Sequence, residues 1–157
     1  RAYKGLRRMY GNFLDARECY RNAERYVQRE QELELARHIV WCKEFIPADE
    51  VRYYFAVADL VAQPYKSATQ SGITQIAYHF ERPMLVTDVG GLAEIVPHGK
   101  VGYVVKPNAD DIADALVDFI NHKQDSDFST GIAEEKIKYT WDKMTATLID
   151  VAKKVNQ

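Results

Sequence analysis

Asp59-Leu60-Val61-Ala62-Gln63-Pro64-Tyr65-Lys66-Ser67-Ala68-Thr69-Gln70-Ser71-Gly72 reads as a short apolar strand running into a corner rich in hydroxyls. Beyond the corner, Ile73, Ile76, Ala77 and Phe80 fall at helical spacing. A helix start leaves backbone N–H groups unpaired and carries the positive end of the helix dipole, so a strand-to-helix corner of this kind suits a phosphate. The same residues also make ordinary helix caps, because Ser67, Thr69 and Ser71 are good cap formers. The corner is neither a Walker loop nor a dinucleotide fingerprint, so local pattern alone leaves both readings open.

The flanks decide the architecture. His38-Ile39-Val40-Trp41 is short and β-branched and predicts a strand, with Phe45-Ile46-Pro47 as the turn leaving it. A helix is predicted next, with Val51, Tyr54, Phe55 and Ala58 on one stripe and Pro47 near its start. Pro83 stops the helix after the corner; Met84-Leu85-Val86-Thr87 is a further strand, and Val89-Gly90-Gly91 a turn. Leu92–Val96 is a short helical piece, and Gly102-Tyr103-Val104-Val105 another strand. Asn108 caps a helix with Ile112, Ala115, Leu116, Phe119 and Ile120 toward the core. Residues 124 to 131 read as a polar loop, followed by two helices, the last with Trp141, Met144, Leu148, Ala152 and Val155 on its inner side. Strands alternating with helices specify an α/β domain with a mostly parallel sheet. The turns at Phe45, Pro64 and Val89 then share its carboxyl edge, where open α/β sheets bind ligands. That placement favours the anion-site reading of the corner.

Composition sets outer bounds. The chain has 157 residues, 46% of them hydrophobic, which suits one well-packed domain. A formal net charge of −2 gives no sign of a nucleic-acid or anionic-membrane surface. Cys19 and Cys42 have no metal spacing and read as two small, buried, reduced thiols of a cytoplasmic protein. No apolar run approaches the ~20 residues of a membrane span. The charged residues 14 to 37 read as solvated faces of one or two helices. His38, His79, His98 and His122 read as surface or packing residues, without the spacing of a metal site. Nor does a Ser–His–acid set or a close carboxylate pair stand out. The chain opens on Arg1 and is expected to be part of a longer protein.

Residues 59–83, followed by Val86-Thr87-Asp88-Val89-Gly90-Gly91-Leu92-Ala93-Glu94-Ile95-Val96, resemble the C-terminal half of family-4 glycosyltransferases. These are retaining enzymes of the GT-B type, with two facing Rossmann-like domains. Arg1-Ala2-Tyr3-Lys4-Gly5-Leu6 is similar to the family's Lys-Gly-Leu opening, and Phe45-Ile46-Pro47 and Gly102-Tyr103-Val104-Val105 fit its order. The wording Ser-Ala-Thr-Gln-Ser-Gly and Tyr-His-Phe-Glu-Arg-Pro looks like a bacterial branch concerned with surface polysaccharides.

The resemblance implies a Rossmann-like three-layer α/β/α sandwich, residues 1–157 forming the donor-binding domain of a hexosyltransferase. It implies a nucleoside-diphosphate sugar as donor, no metal or other cofactor, and a glycan or lipid-linked acceptor. The acceptor would be held by an N-terminal domain of the same protein, working in the cytoplasm at the inner membrane face. The isolated domain is expected to bind nucleotide weakly and transfer nothing. Lys4, with Arg1 as second candidate, would stabilise the departing diphosphate. Lys66, Ser67, Thr69, Gln70, Ser71 and Gly72 would hold phosphates or sugar, and Phe45, Ile46 and Pro47 would touch the base.

Two departures from the family stand out. Relatives carry a pair of glutamates across the corner and its helix, whereas this chain has Ala68-Thr69-Gln70 and Gln75-Ile76-Ala77. Gln70 and Gln75 are the amide substitutes, weaker acceptors for a ribose diol than carboxylates. Only Arg7, Arg8, Met9 and Tyr10 separate Leu6 from Gly11-Asn12-Phe13, where relatives place a helix and strand of on the order of 30 residues. A segment near residues 6–10 is therefore expected to be missing, with Gly11-Asn12-Phe13 as a further ligand-edge loop. Two rivals remain: a non-catalytic Rossmann-like assembly module, which the missing carboxylates favour, and half of a nucleotide-sugar epimerase.

Overall fold

The computed structural model describes residues 38–40, 42, 44–122 and 125–155. In chain order they form α1 (Val51–Val57), β1 (Val61–Gln63), α2 (Gly72–His79), β2 (Met84–Thr87), α3 (Leu92–Ile95), β3 (Gly102–Val105), α4 (Ala109–His122), α5 (Asp125–Lys136), a 3-10 turn (Ile137–Tyr139) and α6 (Trp141–Val155). Among the described residues the sheet is parallel, in the order β1-β2-β3, with Val61 opposite Met84 and Val86 opposite Val104.

Central β2 is buried at all four positions, as a strand covered on both faces must be. Met84 and Val86 meet Ala77 and Tyr78 of α2, Leu92 of α3, and Phe128 and Ile132 of α5. Leu85 points the other way, onto Ile112 and Ala115 of α4. The result is helix, sheet, helix. Asn108 opens α4 as read, its Oδ1 accepting from the N–H groups of Asp110 at 3.1 Å and Asp111 at 2.9 Å. The Tyr78 hydroxyl donates to the Ile95 carbonyl at 2.5 Å, tying α2 to α3.

The end of α2 is a Schellman turn: Glu81 N–H bonds the Tyr78 carbonyl at 3.1 Å and Arg82 N–H that of Ala77 at 2.9 Å. Glu81 occupies the left-handed position, with φ +55°. Its exposed pair with Lys136, at 3.1 Å, offsets little of the strain. Glu81→Gly is therefore expected to raise stability by about 1 kcal/mol in chemical denaturation. A fall would mean the Lys136 contact outweighs the backbone strain.

Five expectations need correcting. Residues 38–40 form no strand: His38 is in a 3-10 turn, and Ile39 and Val40, the latter 89% exposed, pair with no strand among the described residues. Trp41 lies outside the described residues. The predicted loop at 124–131 falls largely within α5, because Phe128 and Ile132, one turn apart, are both buried. Gly131 permits this, since a Cβ there would stand 2.0 Å from the Lys100 carbonyl oxygen. Ile120 lies exposed on α4, and Cys42, expected as a buried thiol, is exposed as well. On α6 no residue is buried, and the stripe of Trp141, Met144, Leu148 and Val155 faces solvent instead of the core.

Where α5 meets the sheet, the buried Glu135 carboxylate accepts from Lys100 Nζ at 2.8 Å and Lys138 Nζ at 2.6 Å. Those bonds, Lys100 first, hold its carboxyl below the ordinary 4.5. A depressed carboxylate adds stability above its unfolded value and loses it as pH falls through the lower folded one. The melting temperature should thus drop on acidification below 4.5. The gap between wild type and Glu135→Gln should close over the same window; a constant gap would remove Glu135 from the acid response.

Candidate functional site

Parallel strands bring the loops after β1, β2 and β3 to one edge of the sheet. Three bonds fasten them together. Thr87 Oγ1 donates to the Tyr65 carbonyl at 2.6 Å, Gly91 N–H to the Thr69 carbonyl at 2.8 Å, and Asp88 N–H to the Val105 carbonyl at 2.7 Å. Gly90 makes the approach possible: at φ +55° its Cα sits so close that a Cβ would lie 1.8 Å from the Ala68 carbonyl oxygen.

The corner this creates is open. Lys66, Ser67, Thr69, Gln70, Gly72 and Gln75 are exposed, and Ser71 is half-buried. Ser71 caps α2, its Oγ accepting from Ile73 N–H at 3.3 Å. The capping reading thus holds for Ser71. Among the described residues, no backbone N–H from Lys66 to Ser71 donates to another group of the chain. A run of unbonded N–H groups at the positive end of a helix can receive an anion.

Phe45, Ile46 and Pro47 lie ahead of α1. They line a cavity of about 700 Å³ with Cys42, Glu44, Glu50 and Tyr54, and none of the corner residues lines it. Because 38–40 is not a strand, the turn at Phe45 does not leave a sheet edge as read. Phe45 is 91% exposed and can present its ring to a flat ligand. A hydrogen bond with Cys42, foremost, raises the Tyr54 hydroxyl above its ordinary 10.0.

Lys4, Arg1 and Gly11-Asn12-Phe13 fall outside the described residues. Sequence reasoning missed the partners Cys42, Glu44, Glu50 and Tyr54, and the role of Gly90 as the seat for Ala68. It also missed Gln63, a polar side chain closing an apolar strand; that break in pattern was the available signal. His98 and His122 serve locally, His98 Nδ1 accepting from Val104 N–H at 2.9 Å and His122 pairing with Asp118 at 2.9 Å. Among the described residues no cluster of His, Cys, Asp or Glu has metal-holding geometry, and no helix is long and apolar enough to cross a membrane.

The family model described as "Glycosyl transferases group 1" matches residues 15–122. Sucrose-phosphate synthase from Thermosynechococcus elongatus superposes with a TM-score of 0.72 at 17% identity, over 84% of this chain and 34% of that one. HepE from Anabaena, solved in complex with UDP, gives 0.71 at 18% identity, over 87% of this chain and 38% of that one. The C-terminal domain of a glycosyl transferase group 1 family protein, LpcC, from Francisella tularensis gives 0.68 at 17%, over 78% and 64%. The chain thus spans little more than a third of the first two. At these identities the likeness establishes the fold: the Rossmann-like α/β arrangement of GT-B glycosyltransferases. No curated protein matches the chain significantly.

Proposed function

Because the chain belongs to the glycosyl transferases group 1 family, we propose that it is the donor-binding half of a hexosyltransferase, holding a nucleoside-diphosphate sugar at the β1–α2 corner. One observation carries the reading. The corner joins exposed hydroxyls, Lys66 and unbonded N–H groups at the carboxyl edge of a parallel sheet. HepE was solved with UDP, and a diphosphate carries the negative charge that such a corner can receive.

In this reading Ser67, Thr69 and the corner N–H groups take the phosphates, and Gln70 and Gln75 take sugar or ribose hydroxyls. The Phe45-Ile46-Pro47 cavity receives the base. Lys4, assisted by Arg1, neutralises the charge that develops as the diphosphate departs, so these two cations do the work of the leaving-group electrophile. The sugar passes with retained configuration to a glycan or lipid-linked acceptor of surface-polysaccharide type. That acceptor is held by a second domain, with the protein working at the cytoplasmic membrane face.

Titrating UDP-, GDP- and ADP-sugars against the chain by calorimetry and thermal shift tests the assignment. One nucleotide series should bind weakly and raise the melting temperature, and the isolated chain should transfer nothing. Absence of binding by every series would overturn the donor reading and leave the assembly-module alternative. Turnover by the isolated chain would show that no second domain is needed.

A further inference from the structure

Gln63 ends β1 and stands directly before the corner. It is 2% exposed, yet neither its Oε1 nor its Nε2 has a hydrogen-bond partner among the described residues. A buried carboxamide left unbonded on both atoms is costly, and a native site retains one only for a reason. Strand alternation puts its side chain on the face of Val61 and Val86, the face on which Tyr65 and Ala68 of the corner also pack. The unbonded amide therefore lies on the same side of the sheet as the corner whose N–H groups are themselves unbonded.

We propose that Gln63 is a positioning residue for the donor: its carboxamide bonds the backbone of the Lys66–Ser71 corner when a diphosphate occupies it. The inference rests on the donor reading above and deepens it. In a trans peptide the N–H and the preceding C=O point in opposite directions. Turning the N–H groups of Ser67 and Ala68 outward onto phosphate oxygens turns the Lys66 and Ser67 carbonyls inward, where Gln63 Nε2 can donate to them, while the Tyr65 and Thr69 carbonyls stay on Thr87 and Gly91. Ligand-free, the amide is orphaned; ligand-bound, it is satisfied. A ligand gains affinity from any group bonded better in the bound state than in the free one.

The consequence is a pair of effects with opposite signs. Gln63→Met and Gln63→Leu remove the orphaned amide, so each free variant should melt at or above the wild type. Each should bind UDP, the probe nucleotide, about tenfold more weakly by calorimetry. A merely structural glutamine would do the reverse, lowering the melting temperature and leaving UDP affinity intact. A lower melting temperature in both free variants, or an unchanged Kd for UDP, overturns the assignment. Wild-type chain that binds none of UDP, GDP and ADP overturns the donor reading itself, and this one with it. Normal wild-type binding with unaltered variants overturns the role of Gln63 alone.

Discussion

Gly90→Ala is expected to lose about 3 kcal/mol or more of stability and to abolish nucleotide binding. Two terms add. A non-glycine residue held left-handed costs roughly 1–2 kcal/mol, and forcing atoms into a filled space roughly 1–3 more. The second term arises because the new Cβ would stand 1.8 Å from the Ala68 carbonyl oxygen, a backbone atom without freedom to swing away. Relief requires the corner to part from the Gly90-Gly91 turn, breaking the 2.8 Å bond from Gly91 N–H to the Thr69 carbonyl. Gly99→Ala is the matched control, since φ is +74° there and nothing lies within 4 Å of the added methyl. It should lose only the backbone term, about 1 kcal/mol by denaturant titration, and keep its affinity. Equal losses in the two variants would show that the corner does not rest on Gly90.

Lys4→Ala carries the second large effect, on chemistry instead of folding. Measured on the intact protein, it should remove roughly 2–4 kcal/mol of transition-state stabilisation, about 30- to 1,000-fold in kcat/KM, as for loss of a preorganised electrostatic group. The loss should fall mainly on kcat, because charge on the diphosphate grows as the glycosidic bond breaks. Lys66→Ala offers the contrast. Lys66 is exposed on the corner, so its removal should raise KM modestly and leave kcat nearly unchanged. Unaltered kinetics in Lys4→Ala would exclude that lysine from the reacting centre.

Much of the architecture could be read in advance where local pattern and tertiary environment agree. The strand Met84–Thr87 is apolar because both its faces are covered, and Asn108 sits where its carboxamide closes two N–H groups. Misreadings came where one level overrode another. The polar stretch ahead of Gly131 winds into α5 because Phe128 and Ile132 dock on the core, a tertiary gain that local composition does not advertise. Ile39 and Val40 have the residue types of a strand but no described neighbour to pair with, and β-propensity expresses packing more than backbone preference.

The site divides the same way. Its hydroxyls and its position on the sheet edge are local and periodic properties, visible from Pro64 to Gly72. The fit of Gly90 beneath Ala68 and the isolation of Gln63 depend on how distant segments meet. Neither leaves a mark in spacing. The family resemblance named a glutamate pair that this chain replaces with Gln70 and Gln75, both exposed.

Trp141, 78% exposed at the start of α6, gives the chain a built-in optical gauge. An indole in water fluoresces red-shifted and is readily quenched by iodide. With Trp41 changed to phenylalanine, the remaining indole of the chain's two reports on that helix alone. A blue shift and lost quenching on joining any larger assembly would then time the moment its uncovered stripe is enclosed.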